Sequence, residues 1–238
     1  MKRAVLLCIA AACANVSHAV EIFNNGPVVN SAGKSVVASS STTYGYAANG
    51  AGTVADDFTI DAGKTWNISS IDFFSYQTGA TGFTFGNANW SIVEGDNVAT
   101  GNVVASGSTA VTDGGRVGYR VLSSLQNGTT RPIYRVQADV ADFSLAQGHY
   151  WLRWSLTGSL ASGPWVAPTS DWRTGNAAQD IGLGFRPLVD TGTQQSLELP
   201  FAINGTIAAV PEPETYAMML GGLAMLGALA RRRRQSQA

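Results

Sequence analysis

Residues 54–207 predict an all-β domain, an antiparallel β-sandwich of jelly-roll type. Three observations support this fold class. Apolar and polar residues alternate in eight to ten short runs, as in strands with one buried face. Turn-forming residues rich in glycine separate these runs. The stretch also shows no convincing amphipathic helix and no internal repeat, so the strands must supply the core.

The segment before this domain, residues 20–53, is rich in Gly, Ser, Ala and Asn. Between residues 24 and 53, the only pairs of large apolar residues are Val28-Val29 and Val36-Val37. Small and polar residues of this kind favour loops over packed elements. We expect an irregular lead with at most one edge strand.

The first strands are the most clearly patterned. Residues 53–60 place their apolar side chains on one face, which Asp56 interrupts. Residues 66–76 are apolar on both faces, which indicates a central strand covered from both sides. Hairpin-type turns are predicted at 94–97 and at Asn127-Gly128. The later strands are predicted at 90–93, 117–121, 134–140, 150–156 and 197–203.

One connection, residues 158–178, is longer than most loops of a compact domain. It contains Trp165 and Trp172, which argue against disorder. Two interpretations stay open. The indoles are buried under a loop folded over one end of the sandwich, or they form an aromatic platform that contacts carbohydrate.

Composition excludes several function classes. The only cysteines, Cys8 and Cys13, fall in the first 19 residues, so the body has no disulfide. Between residues 20 and 209, nine Lys or Arg face fourteen Asp or Glu, a net charge of −5. Nucleic acids and anionic lipids need clustered cations, so we expect neither as a partner.

No catalytic constellation is evident. The body has one histidine, His149, and no Gly-x-Ser-x-Gly elbow for a serine hydrolase. Glu94 and Asp96 are the best carboxylate pair for a glycosidase, yet Gly95 between them favours a turn. We therefore predict a protein that is not an enzyme and needs no cofactor.

Metal binding is also not predicted. One histidine cannot form a histidine cluster. Asp56-Asp57 or the pair Asp139 and Asp142 are the candidates for calcium, which prefers oxygen ligands. No Asp-x-Asp-x-Asp-Gly loop is present, so the preferred interpretation is solvated carboxylates and no metal site.

The first 19 residues have the three parts of a secretory signal peptide. Met1-Lys2-Arg3 is positively charged, residues 4–14 are apolar, and Ser17-His18-Ala19 places small residues where signal peptidase reads them. We expect cleavage by signal peptidase after Ala19. The alternative is a lipoprotein acylated at Cys13, for which Ala10 is a poor upstream residue.

The C-terminal tail, residues 208–238, also has three parts. The apolar stretch 216–230 predicts a transmembrane helix, about 22 Å long at ~1.5 Å per residue, which the flanking residues extend towards a ~30 Å bilayer interior. The arginines after it form a stop-transfer signal that keeps this end cytoplasmic. The polar motif before it is Val210, Pro211, Glu212 and Pro213, and the stop-transfer residues are Arg231, Arg232, Arg233 and Arg234.

This order of motif, apolar span and arginine cluster resembles the PEP-CTERM sorting signal, which many Gram-negative bacteria carry on exported proteins. The resemblance implies a membrane protease partner, exosortase, that recognises the Pro-Glu-Pro element and removes the span. It also implies export to the cell envelope or extracellular matrix of organisms that make exopolysaccharide. Body runs such as residues 71–78 and Gly163-Pro164-Trp165 look similar to members of that group, but imply no activity.

Three hypotheses follow for the function. The first is a sorted envelope or matrix protein whose body is structural or binds extracellular carbohydrate weakly. The second is a hydrolase that acts on exopolysaccharide. The third is a permanently anchored single-pass envelope protein with no sorting step.

Overall fold

The computed structural model describes residues 20–209, together with Gly222 and Met225, which are helical. The predicted signal peptide, the motif at 210–213 and the arginines 231–234 lie outside the described residues. The predicted transmembrane helix lies outside them too, apart from those two positions. Among the residues described, none belongs to a helix long and apolar enough to cross a membrane.

Residues 20–209 form strands and no helix, which confirms the all-β class. The strands in chain order are β1 (Val20–Asn24), β2 (Lys34–Val37), β3 (Tyr46–Ala47), β4 (Thr53–Ile60), β5 (Lys64–Tyr76), β6 (Phe85–Glu94), β7 (Asn102–Leu122), β8 (Pro132–Leu145), β9 (Gly148–Gly158), β10 (Trp165–Val166), β11 (Ala178–Asp180), β12 (Arg186–Pro187) and β13 (Phe201–Ala209).

The strands form one curled, mainly antiparallel sheet in the order β1-β13-β5-β8-β7-β6-β9-β4-β11-β12. The 21-residue strand β7 joins its two halves, because its first part pairs with β6 and its second part with β8. We call the half with the order β1-β13-β5-β8 sheet A, and the half with the order β6-β9-β4-β11-β12 sheet B. The jelly-roll type stays a prediction, since the strand order establishes only the curled sheet.

The main core lies between sheets A and B. Trp154 of β9, fully buried, lies 5.7 Å from Phe73 of β5 and 5.9 Å from Phe201 of β13, measured between ring centroids. Phe58 of β4 stacks on Trp66 of β5 at 5.6 Å. Contacts between large aromatic side chains of the two halves therefore hold the two halves of the curled sheet together.

Strand β5 is covered on both faces, as its sequence predicts. Its residues Ile71 and Phe73 belong to the main core. Phe74 and Tyr76 belong to a second apolar cluster on the opposite face, against which Val28 packs.

The lead contains three strands where at most one was predicted. β1 pairs with β13, β2 pairs in parallel with β7, and β3 pairs with β10. Backbone hydrogen bonds to an existing sheet define these strands, and such bonds leave little trace in side-chain pattern.

A buried arginine fastens the lead to sheet A. The Arg120 guanidinium, 2% exposed, donates hydrogen bonds to the Ser35 hydroxyl and to the carbonyls of Val36, Thr43 and Tyr44, at 2.7–3.2 Å. Burial lowers the pKa of Arg120 to about 10. This cation is therefore satisfied by backbone oxygens of the lead.

The last strand begins later than the sequence predicts. A strand was expected at 197–203, but β13 starts at Phe201. Pro200 has no N–H for a ladder, and the N–H of Leu199 donates to the Asp56 carboxylate instead of to a neighbouring strand.

Candidate functional site

The sequence candidate Trp165 lies in a small aromatic pocket on the sheet A side of the protein. The pocket has a volume of about 260 Å³. It is lined by Tyr44, Gly45, Tyr76, Thr78, Arg131, Ser162 and Trp165. Backbone pairing positions Trp165, which is opposite Ala47 of β3 and Tyr76 of β5. The pocket therefore forms where the lead, β5 and the long loop meet.

Aromatic and polar groups alternate around this pocket. The Arg131 guanidinium lies 4.1 Å from the centroid of the Tyr44 ring, a cation–π contact. The Trp165 indole N–H donates to the Ser162 hydroxyl at 3.2 Å, which fixes the plane of the ring. Burial raises the pKa of the Tyr76 phenol to about 12, so it stays a neutral hydrogen-bonding group. Apolar ring faces beside fixed polar atoms are typical of small-ligand sites.

The structure does not bring Trp172 into this pocket. Trp172 is partly buried and packs against the main core. Its ring centroid lies 5.8 Å from the Arg120 guanidinium, and its backbone has a positive φ of 54°. The long loop thus supplies one tryptophan to the pocket and another to the core.

Sequence reasoning missed the other pocket residues. Tyr44 lies in the lead and Arg131 in the turn before β8, and neither stands in a recognisable motif. Pairing of the long loop with the lead brings Tyr44 to Trp165, and pairing of β5 with both β10 and β8 brings Arg131 there. A search for aromatic residues flanked by turn residues would have found Tyr44, together with many unrelated positions.

His149 lies between two aspartates on the outer face of sheet B. Its Nε2 is 2.6 Å from Asp57 and its Nδ1 is 3.2 Å from Asp96. Glu94 ends β6 and Asp96 lies in the turn that follows, as the sequence indicates. The imidazole therefore links β9 to β4 and to this turn.

A carboxylate cluster lies at the middle of β4, beside the segment that enters β13. Oxygens of Asp56, Asp57 and Glu198 all lie within 4.8 Å of one another, so these residues could hold a cation. Asp56 is fully buried, and the prediction that these aspartates are solvated is wrong for it. The reason is a local acceptor role, because Asp56 receives the N–H groups of Leu199 and Asp57 and the side-chain amide of Asn25.

The same contacts favour a hydrogen-bonded carboxyl pair over a metal centre. Asn25 donates at 2.9 Å to both Asp56 and Glu198 and so bridges them. Burial, followed by the nearby charge of Glu198, raises the pKa of Asp56 well above its ordinary value. A proton on this pair removes one of two like charges in an apolar setting.

Comparison with known proteins concerns the tail alone. Residues 209–234 match the family described as PEP-CTERM protein-sorting motif. No curated protein matches the chain. The match confirms the resemblance seen in the Pro-Glu-Pro element, apolar span and arginine cluster. It indicates an exported protein that an exosortase sorts to the envelope or extracellular space. Residues 209–234 of this chain are therefore a PEP-CTERM protein-sorting motif.

Proposed function

We propose that this protein is an envelope or extracellular-matrix component whose body binds the polysaccharide around the cell weakly and does not cleave it. The sorting motif supports the destination. The observation that carries the binding role is the pocket at Trp165, in which the Tyr44 ring and the indole stand beside Arg131, Ser162 and Thr78.

The chemistry of this pocket suits a sugar ring. The C–H face of a pyranose packs on an aromatic ring, and its hydroxyls bond to a guanidinium or to a hydroxyl. Because the pocket is small, it holds one sugar unit and buries little area. We therefore expect a dissociation constant of about millimolar to micromolar.

The tail fits this role through its order of events. Signal peptidase releases the N-terminus at export, and the C-terminal span holds the protein in the inner membrane until exosortase acts at the motif. The folded body is then free of its anchor. A weak sugar site is enough to retain many copies in a polysaccharide matrix, where binding positions are dense.

The test is retention of the full-length protein, purified in detergent, on polysaccharide from its own producer. Tyr44→Ala and Trp165→Phe are expected to reduce retention, because each removes ring surface from the pocket. Tyr119→Ala is the matched control, since Tyr119 also has an arginine, Arg116, 5.0 Å from its ring and lies outside the pocket.

Three outcomes would contradict the proposal. Wild-type protein that is not retained on any polysaccharide would favour a purely structural body. Equal retention of the Tyr44 and Tyr119 variants would remove the pocket from the binding role. Release of reducing sugar ends by the wild type would favour a hydrolase.

A further inference from the structure

The outer face of sheet B carries a second, polar groove of about 430 Å³. This volume lies within the range of roughly 300–1,000 Å³ that is usual for small-ligand sites. Residues of five strands and one loop line it, namely Thr53, Asn89, Trp90, Ser91, Ser106, Gly107, Arg153, Ser155, Asp180 and Phe185. It belongs to the half of the sheet opposite the Trp165 pocket.

The floor of the groove follows from strand alternation. On β9, Trp154 and Leu156 point into the core, so Arg153 and Ser155 point outwards. On β6 and β7, Ser91 lies opposite Ser106 in the antiparallel pairing. The floor of the groove is therefore polar, and its groups are the Asn89 amide, the Arg153 guanidinium and the hydroxyls of Ser91, Ser106 and Ser155.

A rigid loop forms the wall. Oδ1 of Asp180 accepts the backbone N–H groups of Gly182, Leu183 and Gly184 at 2.7–3.0 Å. The other oxygen, Oδ2, accepts no hydrogen bond from any residue between 20 and 209. The loop thus presents a preorganised acceptor at the edge of the groove, next to Phe185.

Arg153 provides the opposing donor. Its side chain is held by the Phe185 ring, 5.1 Å from the guanidinium carbon, and by a hydrogen bond from Nη2 to the Val98 carbonyl. Nη1 has no hydrogen-bond partner within residues 20–209, and no carboxylate there lies within 4 Å of this guanidinium. Burial lowers the pKa of Arg153, because its contacts within the protein do not fully replace the water that the guanidinium loses.

We propose that this groove binds a neutral glycan, with Asp180 Oδ2 accepting and Arg153 Nη1 donating hydrogen bonds to adjacent hydroxyls. One cation and one anion line the groove, so its own charge is balanced. The body around it carries a net charge of −5 between residues 20 and 209, which disfavours a polyanion. Asn89 and the serines offer donors and acceptors together, as the hydroxyls of a sugar chain require.

This inference extends the proposed function and rests on it for the class of ligand. A pocket on sheet A and a groove on sheet B give one molecule two sugar sites on different faces. Such a protein cross-links polysaccharide chains, and two weak sites gain avidity that neither has alone.

The strand pairing supplies matched variants for the test. Asn89→Ala and Ser106→Ala remove groove side chains. Asn87→Ala and Ser108→Ala remove the same groups two residues away on the same exposed face, outside the groove. Full-length protein in detergent is titrated at low ionic strength with dextran, a neutral glucan, and with alginate, a polyuronate.

We expect each groove variant to weaken dextran binding about three- to tenfold, the effect of one lost hydrogen bond, and the controls to match the wild type. Dextran-induced light scattering, which reports cross-linking, is expected to disappear in groove variants.

Equal binding by all four variants would overturn the groove assignment, and alginate binding as tight as dextran binding would overturn the neutral ligand. Loss of dextran binding in Tyr44→Ala alone would support the Trp165 pocket as the sugar site and reject the groove. Loss in the groove variants alone would support the groove and reject the pocket.

Discussion

The carboxylate of Asp56 accepts a 2.6 Å hydrogen bond from the backbone N–H of Leu199, 143 residues further along the chain. This bond ties β4 in sheet B to the segment that enters β13 in sheet A. It explains why an acidic residue interrupts the apolar face of β4. The burial that this role requires also brings Asp56 close to Glu198 and raises its pKa.

The first prediction concerns stability against pH. The folded state keeps a proton on Asp56 that the unfolded chain releases near the ordinary aspartate pKa of about 3.9. The free energy of unfolding therefore falls as pH rises from about 4 through the raised pKa.

Glu198→Gln removes the like charge and should raise the melting temperature at pH 8, by roughly 2–4 °C per kcal/mol, with little change near pH 4. Thermal unfolding of Glu21→Gln, on exposed β1, is the control. A gain for Glu198→Gln that is the same at both pH values would contradict the coupled pair.

The second prediction concerns metal and redox dependence. The body contains no cysteine, and donors from the protein already satisfy the oxygens of Asp56. The melting temperature should therefore be the same with and without reductant or chelator. Calorimetry of the mature protein measures this directly. A drop on adding chelator, restored by calcium, would show that Asp56, Asp57 and Glu198 bind a cation.

The third prediction concerns the two classes of tryptophan. Trp154→Ala removes a fully buried indole from between the sheets and should cost about 3–5 kcal/mol of unfolding free energy. Trp172→Ala should also destabilise, because this ring packs on the core beside Arg120. Trp165→Phe should cost less than either. Denaturant unfolding ranks the three variants, and a Trp172 variant as stable as the wild type would return that ring to the candidate sugar contacts.

The fourth prediction concerns the tail. Pro211→Ala and Glu212→Ala should each leave an unprocessed precursor in the inner membrane, because a protease reads the charge and the extended backbone that the prolines impose. Glu214→Ala removes the same charge outside the motif and is the control. Membrane fractionation and intact mass measure the result. Normal processing of both motif variants would make the tail an ordinary anchor.

The fifth prediction concerns the N-terminus. Cleavage after Ala19 leaves Val20 first, and Val20 is also the first residue of β1. The mature chain would then begin on the strand that pairs with β13. N-terminal sequencing should read Val20-Glu21-Ile22. A sequence that begins at a lipid-modified Cys13 would establish the lipoprotein alternative.

Much of the fold follows from local pattern. Residues 53–60 alternate so clearly that β4 has the predicted bounds, and the double-sided apolar run at 66–76 identifies β5 as a strand with two covered faces. These features are readable because burial acts on side chains in a fixed period of two. The strands of the lead are not readable, because backbone bonds to distant partners define them.

The candidate sites divide in the same way. By itself, the sequence determined the PEP-CTERM sorting motif, since that motif is an order of residues within one short stretch of the chain. It also determined the strand alternation that turns Arg153 towards solvent and Trp154 towards the core. Only the tertiary structure decided that Trp165 faces Tyr44 in a pocket while Trp172 packs on the core, and that Asp56 is an internal acceptor. Those outcomes depend on which distant segments meet, and long-range pairing leaves no local mark in the chain.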